Sequence, residues 1–150
     1  MAILDDYRAR VGETKTSSWF AIDQERVNAF ADVTEDHQFI HVDPERAKAE
    51  TPFGGPIAHG FLTLSMLSHF AAESLPGFPE GVIGINYGFD KVRFLSPVPV
   101  GAKIRGVFTV ASAEERKPGQ IQLIQDCLVE IEGTDAAALS AKWLSLVVTG

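Results

Sequence analysis

Ile57-Ala58-His59-Gly60-Phe61-Leu62-Thr63-Leu64-Ser65-Met66-Leu67-Ser68-His69-Phe70-Ala71-Ala72-Glu73-Ser74 carries Phe61, Leu62, Leu64, Met66, Leu67, Phe70 and Ala71 around most of a helical circumference. A helix apolar on nearly every side must be covered on nearly every side. The pattern therefore predicts one wrapped central helix over Ile57–Ser74. Thr51-Pro52-Phe53-Gly54-Gly55-Pro56, dense in turn residues, leads into it.

The cover comes from the C-terminal half. After a loop from Leu75 to Gly81, four segments read as strands: Val82–Leu95, Ala102–Ala111, Ile121–Ile131 and Ala137–Thr149. Ala102, Ile104, Phe108 and Val110 alternate with Lys103, Arg105 and Thr109, which marks a sheet with one covered and one wet face. Arg116-Lys117-Pro118-Gly119 and Glu132-Gly133-Thr134-Asp135 read as hairpin turns. Upstream, Thr16–Ile22 has strand character, and Asp23 is placed to cap a helix that stops near Thr34. Residues 35–43 show no sustained period, and Asp43-Pro44 opens a further short helix. Helices early and antiparallel strands late give an α+β domain in which a curved sheet wraps the hydrophobic helix.

At 150 residues and 45% hydrophobic content, the chain reads as one domain, residues 1–150. The single Cys127 lies in an apolar run and reads as a buried structural thiol, as expected in a reducing compartment. Met1–Arg10 lacks the apolar core of a signal peptide, so a cytoplasmic location is expected. The Ile57–Ala72 run contains two His, two Ser and a Thr, which argues against membrane insertion. A formal charge of −7 without a basic tract argues against nucleic acid as a partner.

The chemistry concentrates between residues 36 and 60. Asp36 and His41 offer a carboxylate and an imidazole in a segment that reads as a loop, a pairing able to hold a water and move its proton. Spacing alone leaves open the alternative that Asp36 caps local backbone and His41 is a satisfied half-buried histidine. Gly60, near the start of the apolar helix, can offer a free backbone N–H to an oxygen gaining charge, or can relieve crowding where helix meets sheet. His37, His41, His59 and Asp43 are metal-ligand types, but they match no paired-ligand spacing, and no metal is expected. His37, His59 and His69 read as structural.

Asp36 and His41, Val42-Asp43-Pro44, Phe53-Gly54-Gly55 and Ile57-Ala58-His59-Gly60-Phe61 together resemble the MaoC-like (R)-specific enoyl-CoA hydratases. Ile85-Asn86-Tyr87-Gly88 and Arg93-Phe94-Leu95-Ser96-Pro97-Val98 point to the nodulation-protein-N-like branch, with the likeness covering about residues 20 to 101. The resemblance implies a hot-dog fold and the addition of water to a trans-2-enoyl-CoA to give the (R)-3-hydroxyacyl-CoA. It implies catalytic roles for Asp36 and His41 on the water, the Gly60 N–H on the thioester oxygen, and Ser68 in support. It implies no cofactor, coenzyme A being part of the substrate, and a homodimer. Many members have Asn and Pro where this chain has Gln38 and Phe39; Gln38 is the substrate-binding candidate that replaces the amide, with a longer reach that leaves open whether it orients His41 or the substrate.

Lys91, Arg93, Lys103 and Arg105 are candidates for the coenzyme A phosphates, or solvated strand-face residues. Phe39, Phe61, Leu64 and Phe89 are candidates for closing the acyl tunnel. A hot-dog thioesterase is the enzymatic rival; it would need a carboxylate on the central helix, where only Glu73 is available. A non-catalytic acyl-thioester binder is the third reading, and the intact Asp36 and His41 count against it.

Overall fold

In the computed structural model, which describes residues 2–150, the chain opens with a helix not anticipated above, α1 (Ala2–Ala9). Leu4 is buried, and with Ile3 and Tyr7 it packs on Val110, Ala113, Ile121, Leu123 and Val147. Tyr7 lies one turn from Ile3 and Leu4, so the apolar stripe was present, diluted by Asp5, Asp6 and Arg8. The segment expected as one strand over Thr16–Ile22 forms two, β1 (Thr14–Thr16) and β2 (Phe20–Ala21). Between them Ser17 holds Gly106 twice: its N–H donates to the Gly106 carbonyl and its Oγ accepts from the Gly106 N–H, each at 2.9 Å. The hydroxyl takes a ladder position, which interrupts the strand.

Helix α2 (Gln24–Thr34) starts as expected, with the Asp23 carboxylate accepting from the Arg26 N–H at 2.8 Å. Phe39–Val42 forms a single helical turn, α3, within the stretch read as irregular. Asp43 then caps α4 (Pro44–Glu50) through the Arg46 N–H at 3.1 Å.

The apolar segment departs from its reading in three ways. Pro56–Ala58 is extended, because Ala58 donates to the Val98 carbonyl (2.8 Å) and Val100 to the Pro56 carbonyl (2.9 Å), so the helix begins only at Gly60. It runs as α5 (Gly60–Ser65) and α6 (Leu67–Ser74), joined through Met66, whose N–H and carbonyl still bond Leu62 and Phe70. It is also covered on one side only: Leu62, Met66, Leu67 and Phe70 are buried, while Phe61 is 68% exposed and Ser65, Ser68 and Ala72 share its open face. No helix among the described residues is long and apolar enough to cross a membrane.

The remaining strands are β3 (Val82–Phe94), β4 (Lys103–Lys117), β5 (Gln120–Ile131) and β6 (Ala137–Thr149). They lie within one antiparallel sheet in the order β1-β4-β5-β6-β3, with β2 also on β4. Strand β4 extends past the expected Ala111 because Ser112–Lys117 continue the ladder with β5 after a bulge. The helix packs on the inner face through Leu62, Leu67 and Phe70 against Ile104, Phe108, Leu139 and Trp143. Close approach depends on Gly106, where an added Cβ would lie 2.7 Å from the Phe70 Cβ. Cys127 is buried in this core with its thiol pushed up to about 12, chiefly by burial and further by Asp126. It is a structural thiol.

Candidate active site

His41 is carried by α3 and only 6% exposed. Its Nδ1 lies 2.7 Å from the Ile57 carbonyl. A carbonyl only accepts, so in the neutral ring Nδ1 bears the hydrogen and Nε2 keeps its lone pair. His59, immediately before α5, is 2% exposed, and its Nε2 lies 3.0 Å from the Asp36 backbone carbonyl. The same argument gives Nδ1 the lone pair, and Nδ1 is the one buried side-chain nitrogen or oxygen without a partner among the described residues. The two imidazoles stack with centroids 3.9 Å apart and planes 23° apart.

Asp36 is exposed above this stack. One donor atom each from Asp36, His41 and His59 lie within 4.8 Å of one another. A carboxylate and the free His41 Nε2 are both acceptors, so a water between them can donate both its hydrogens. These are also ligand types able to hold a small cation with an open position. The metal-ligand types noted in sequence assemble only in part: His37 pairs with Asp32 (2.9 Å), and Asp43 is occupied as the α4 cap.

Burial holds the His41 imidazole below its ordinary range, and His59 adds to this, while the Ile57 hydrogen bond and the Asp36 charge oppose it. The folded chain thus binds this proton less tightly than the unfolded chain. The stability involved is complete above the unfolded value of about 6.5 and is lost as pH falls through the lowered folded value. Calorimetric melting between about pH 7 and about pH 5 should show the wild type losing Tm more steeply than His41→Gln, whose folded state has no imidazole to charge at that position.

Gly60 opens α5 beside His41, and both line a cavity of about 260 Å³ with Ile57, Thr63, Phe94 and Ser96. An added Cβ at Gly60 would lie 3.0 Å from two atoms of the Phe94 ring. The other expected site residues are placed differently. The Gln38 backbone N–H reaches the Asp36 carboxylate at 3.4 Å, but its side chain makes no hydrogen bond among the described residues. Ser68 is exposed on α6 and lines a separate, larger cavity of about 470 Å³. His59, read as structural, is the residue that joins the Asp36/His41 pair. Its signal was the His-Gly helix start, but the approach to Asp36 spans 23 positions and is set by the tertiary fold.

Of the four basic residues, Arg105 is engaged by Glu130 (2.8 Å) and stacks over Trp19 (4.2 Å). Glu73 accepts from the Ser18 N–H at 2.7 Å and from its hydroxyl; these bonds, and His69 nearby, hold its carboxyl below the usual range. That carboxylate is tied to the β1–β2 connection, which weakens its candidacy as a thioesterase base. Phe39 lies under Arg46, Phe61 meets Phe94 edge-on, and Phe89 stacks on Trp143. None of the four tunnel candidates lines the larger cavity.

A family profile described as "MaoC like domain" matches residues 8–129. Nodulation protein N of Rhizobium meliloti (strain 1021) is 49% identical over 144 residues, covering 95% of this chain and 89% of the relative. The 3-hydroxyacyl-thioester dehydratase Z of Mycobacterium tuberculosis (strain ATCC 25618 / H37Rv) is 45% identical over 139 residues, covering 91% and 90%. Among solved structures, the (R)-hydratase from A. caviae involved in PHA biosynthesis superposes with a TM-score of 0.74 at 29% identity, over 90% of this chain and 94% of that one. The shared fold is the hot-dog fold.

Proposed function

The chain belongs to the MaoC-like domain family, and from that premise we propose that it hydrates trans-2-enoyl-CoA to (R)-3-hydroxyacyl-CoA, reversibly. The observation that carries this reading is the convergence of Asp36, His41 and His59 beside a cavity lined by His41 and Gly60. Hydration or dehydration of an acyl thioester, the chemistry of the family, needs a water held by acceptors next to a donor for the thioester oxygen. In the proposed step, the Asp36/His41 pair takes one proton from the water as its oxygen bonds to C3, and returns a proton to C2. Charge gathers on the thioester oxygen, where the Gly60 N–H donates to it.

A lowered His41 value suits this role, because it extends to lower pH the range in which the ring is neutral and keeps its Nε2 lone pair. His59 fixes the Asp36 backbone through its Nε2–H and packs its ring against His41. The reading calls for no cofactor, coenzyme A arriving with the substrate. The test is loss of the conjugated enoyl absorbance of crotonyl-CoA and octenoyl-CoA with purified protein. Release of free thiol without hydration would instead favour a thioesterase.

A homodimer is part of the proposal. Strand β3 ends the sheet with one edge unpaired, and it exposes Ile83, Ile85 and Tyr87. A long edge carrying apolar side chains is a template for a second strand. Light scattering should give twice the 16.3 kDa chain mass, and Ile85→Lys should shift the population toward monomer. A wild-type monomer at micromolar concentration contradicts the dimer.

A further inference from the structure

The larger cavity, of about 470 Å³, runs along the open face of α6, where Ser68 and Ala72 meet Leu123, Gln125 and Trp143 of the sheet, and is separate from the cavity that His41 and Gly60 line. Its volume is that of a site for a small organic ligand. Leu75, Phe78, Val110, Leu123 and Trp143 make its walls largely apolar, and Tyr7 and Arg10 of the N-terminal region close one side. The cavity lies along the helix that begins at Gly60. Ser68, on its lining, is eight residues further on, roughly 12 Å at the helical rise.

One residue breaks the apolar pattern. The inward row of β5 is Ile121, Leu123, Gln125, Cys127, Val129 and Ile131, all buried, and Gln125 is the only polar side chain in it. Gln125 is 5% exposed and lines the cavity, yet its side-chain amide makes no hydrogen bond among the described residues. Directly across the ladder is Trp143, 8% exposed, whose indole N–H likewise makes no hydrogen bond among them. Ser145, next on that face, pairs with Asn86, and both line the same cavity. Both groups are reached from the cavity, since His59 Nδ1 is the one fully buried side-chain polar atom without a partner among the described residues; an occupant that displaces water there without pairing them is disfavoured by about ten-fold or more in equilibrium.

We propose that this cavity receives the tail of the acyl thioester and selects a tail bearing a hydrogen-bonding oxygen, a hydroxyl or a carbonyl, over a plain alkyl chain. Gln125 is the specificity-determining residue. An oxygen at its depth accepts from the Gln125 amide or the Trp143 indole, and a hydroxyl can also donate to the Gln125 carbonyl oxygen. A plain methylene there leaves both groups unpaired. The inference rests on the proposed hydration for assigning the tail to that thioester, but its test does not require turnover.

The experiment measures calorimetric binding of saturated thioesters, which cannot be hydrated, to the full chain and to Gln125→Met, a near-isosteric change. Decanoyl-CoA is compared with hydroxydecanoyl-CoAs whose hydroxyl is moved stepwise along the chain. The wild type should bind at least one hydroxylated thioester about ten-fold or more tighter than decanoyl-CoA, and Gln125→Met should abolish or reverse that preference. The same variant should melt no lower than the wild type, because no protein group pairs with that amide; a marked fall in Tm marks Gln125 as structural and overturns the proposal. Equal affinities unchanged by the variant mean a cavity filled by water only, and also overturn it. If enoyl-CoA is not turned over but the hydroxyl preference depends on Gln125, the hydratase reading fails and this inference stands. If enoyl-CoA is hydrated with no hydroxyl preference, the reverse holds.

Discussion

Asp36→Asn and His41→Gln should each lower kcat/KM for enoyl-CoA hydration by about 10²–10⁴-fold. Asn keeps the shape of Asp36 but cannot take a proton, and Gln keeps a polar side chain in place of the imidazole while removing the Nε2 lone pair. Both groups act on one water, with reacting atoms inside the 4.8 Å cluster. The double variant should therefore fall little further than the worse single one, as for residues acting as a unit. Asp36 is exposed, so Asp36→Asn should leave Tm nearly unchanged, which separates a catalytic loss from a folding loss. Full activity in either single variant would refute the water-activating role.

Gly60→Pro should lower kcat by about 10²–10³-fold, the cost of losing one donor to a developing oxyanion. Gly60 is the first residue of α5, where the N–H has no partner inside the helix and proline is tolerated. His59, at φ −59° and ψ 137°, already has the extended backbone that a following proline requires. Gly60→Ala is the control. It introduces the same Cβ, 3.0 Å from the Phe94 ring, but retains the N–H. The Pro-to-Ala ratio in kcat therefore isolates the donor from the crowding. Equal loss in both variants would assign Gly60 to packing beneath Phe94 alone.

Local signals in this sequence were accurate where a few neighbouring residues decide the outcome. Asp23 and Asp43 both cap the helices expected of them, and Ala137–Thr149 is a strand over its full expected length. The alternation around Ile104 and Phe108 put the covered face of β4 on the correct side. What was not legible depends on partners distant in the chain. Ile57 and Ala58 look helical until Ile40 and Val98 engage their backbone. The apolar Phe61 belongs to the open face of the helix, because the single-chain sheet covers only the opposite one. His59 joins the site through the Asp36 carbonyl, and Ser68, two turns past Gly60 on paper, lies in another cavity.

The crossed histidine bonds bear on how the site moves. His41, from the acid-bearing segment, holds the Ile57 carbonyl just before the helix, while His59, from the helix start, holds the Asp36 carbonyl. Each strand of this lacing secures the other segment's backbone, so neither can peel away while the other stays seated. Residues 36–41 and 57–60 should therefore exchange their protected amide hydrogens as one cooperative unit, with a common opening free energy. Loss of either imidazole would loosen both segments together, so the proton-handling geometry and its scaffold fail at a single seam.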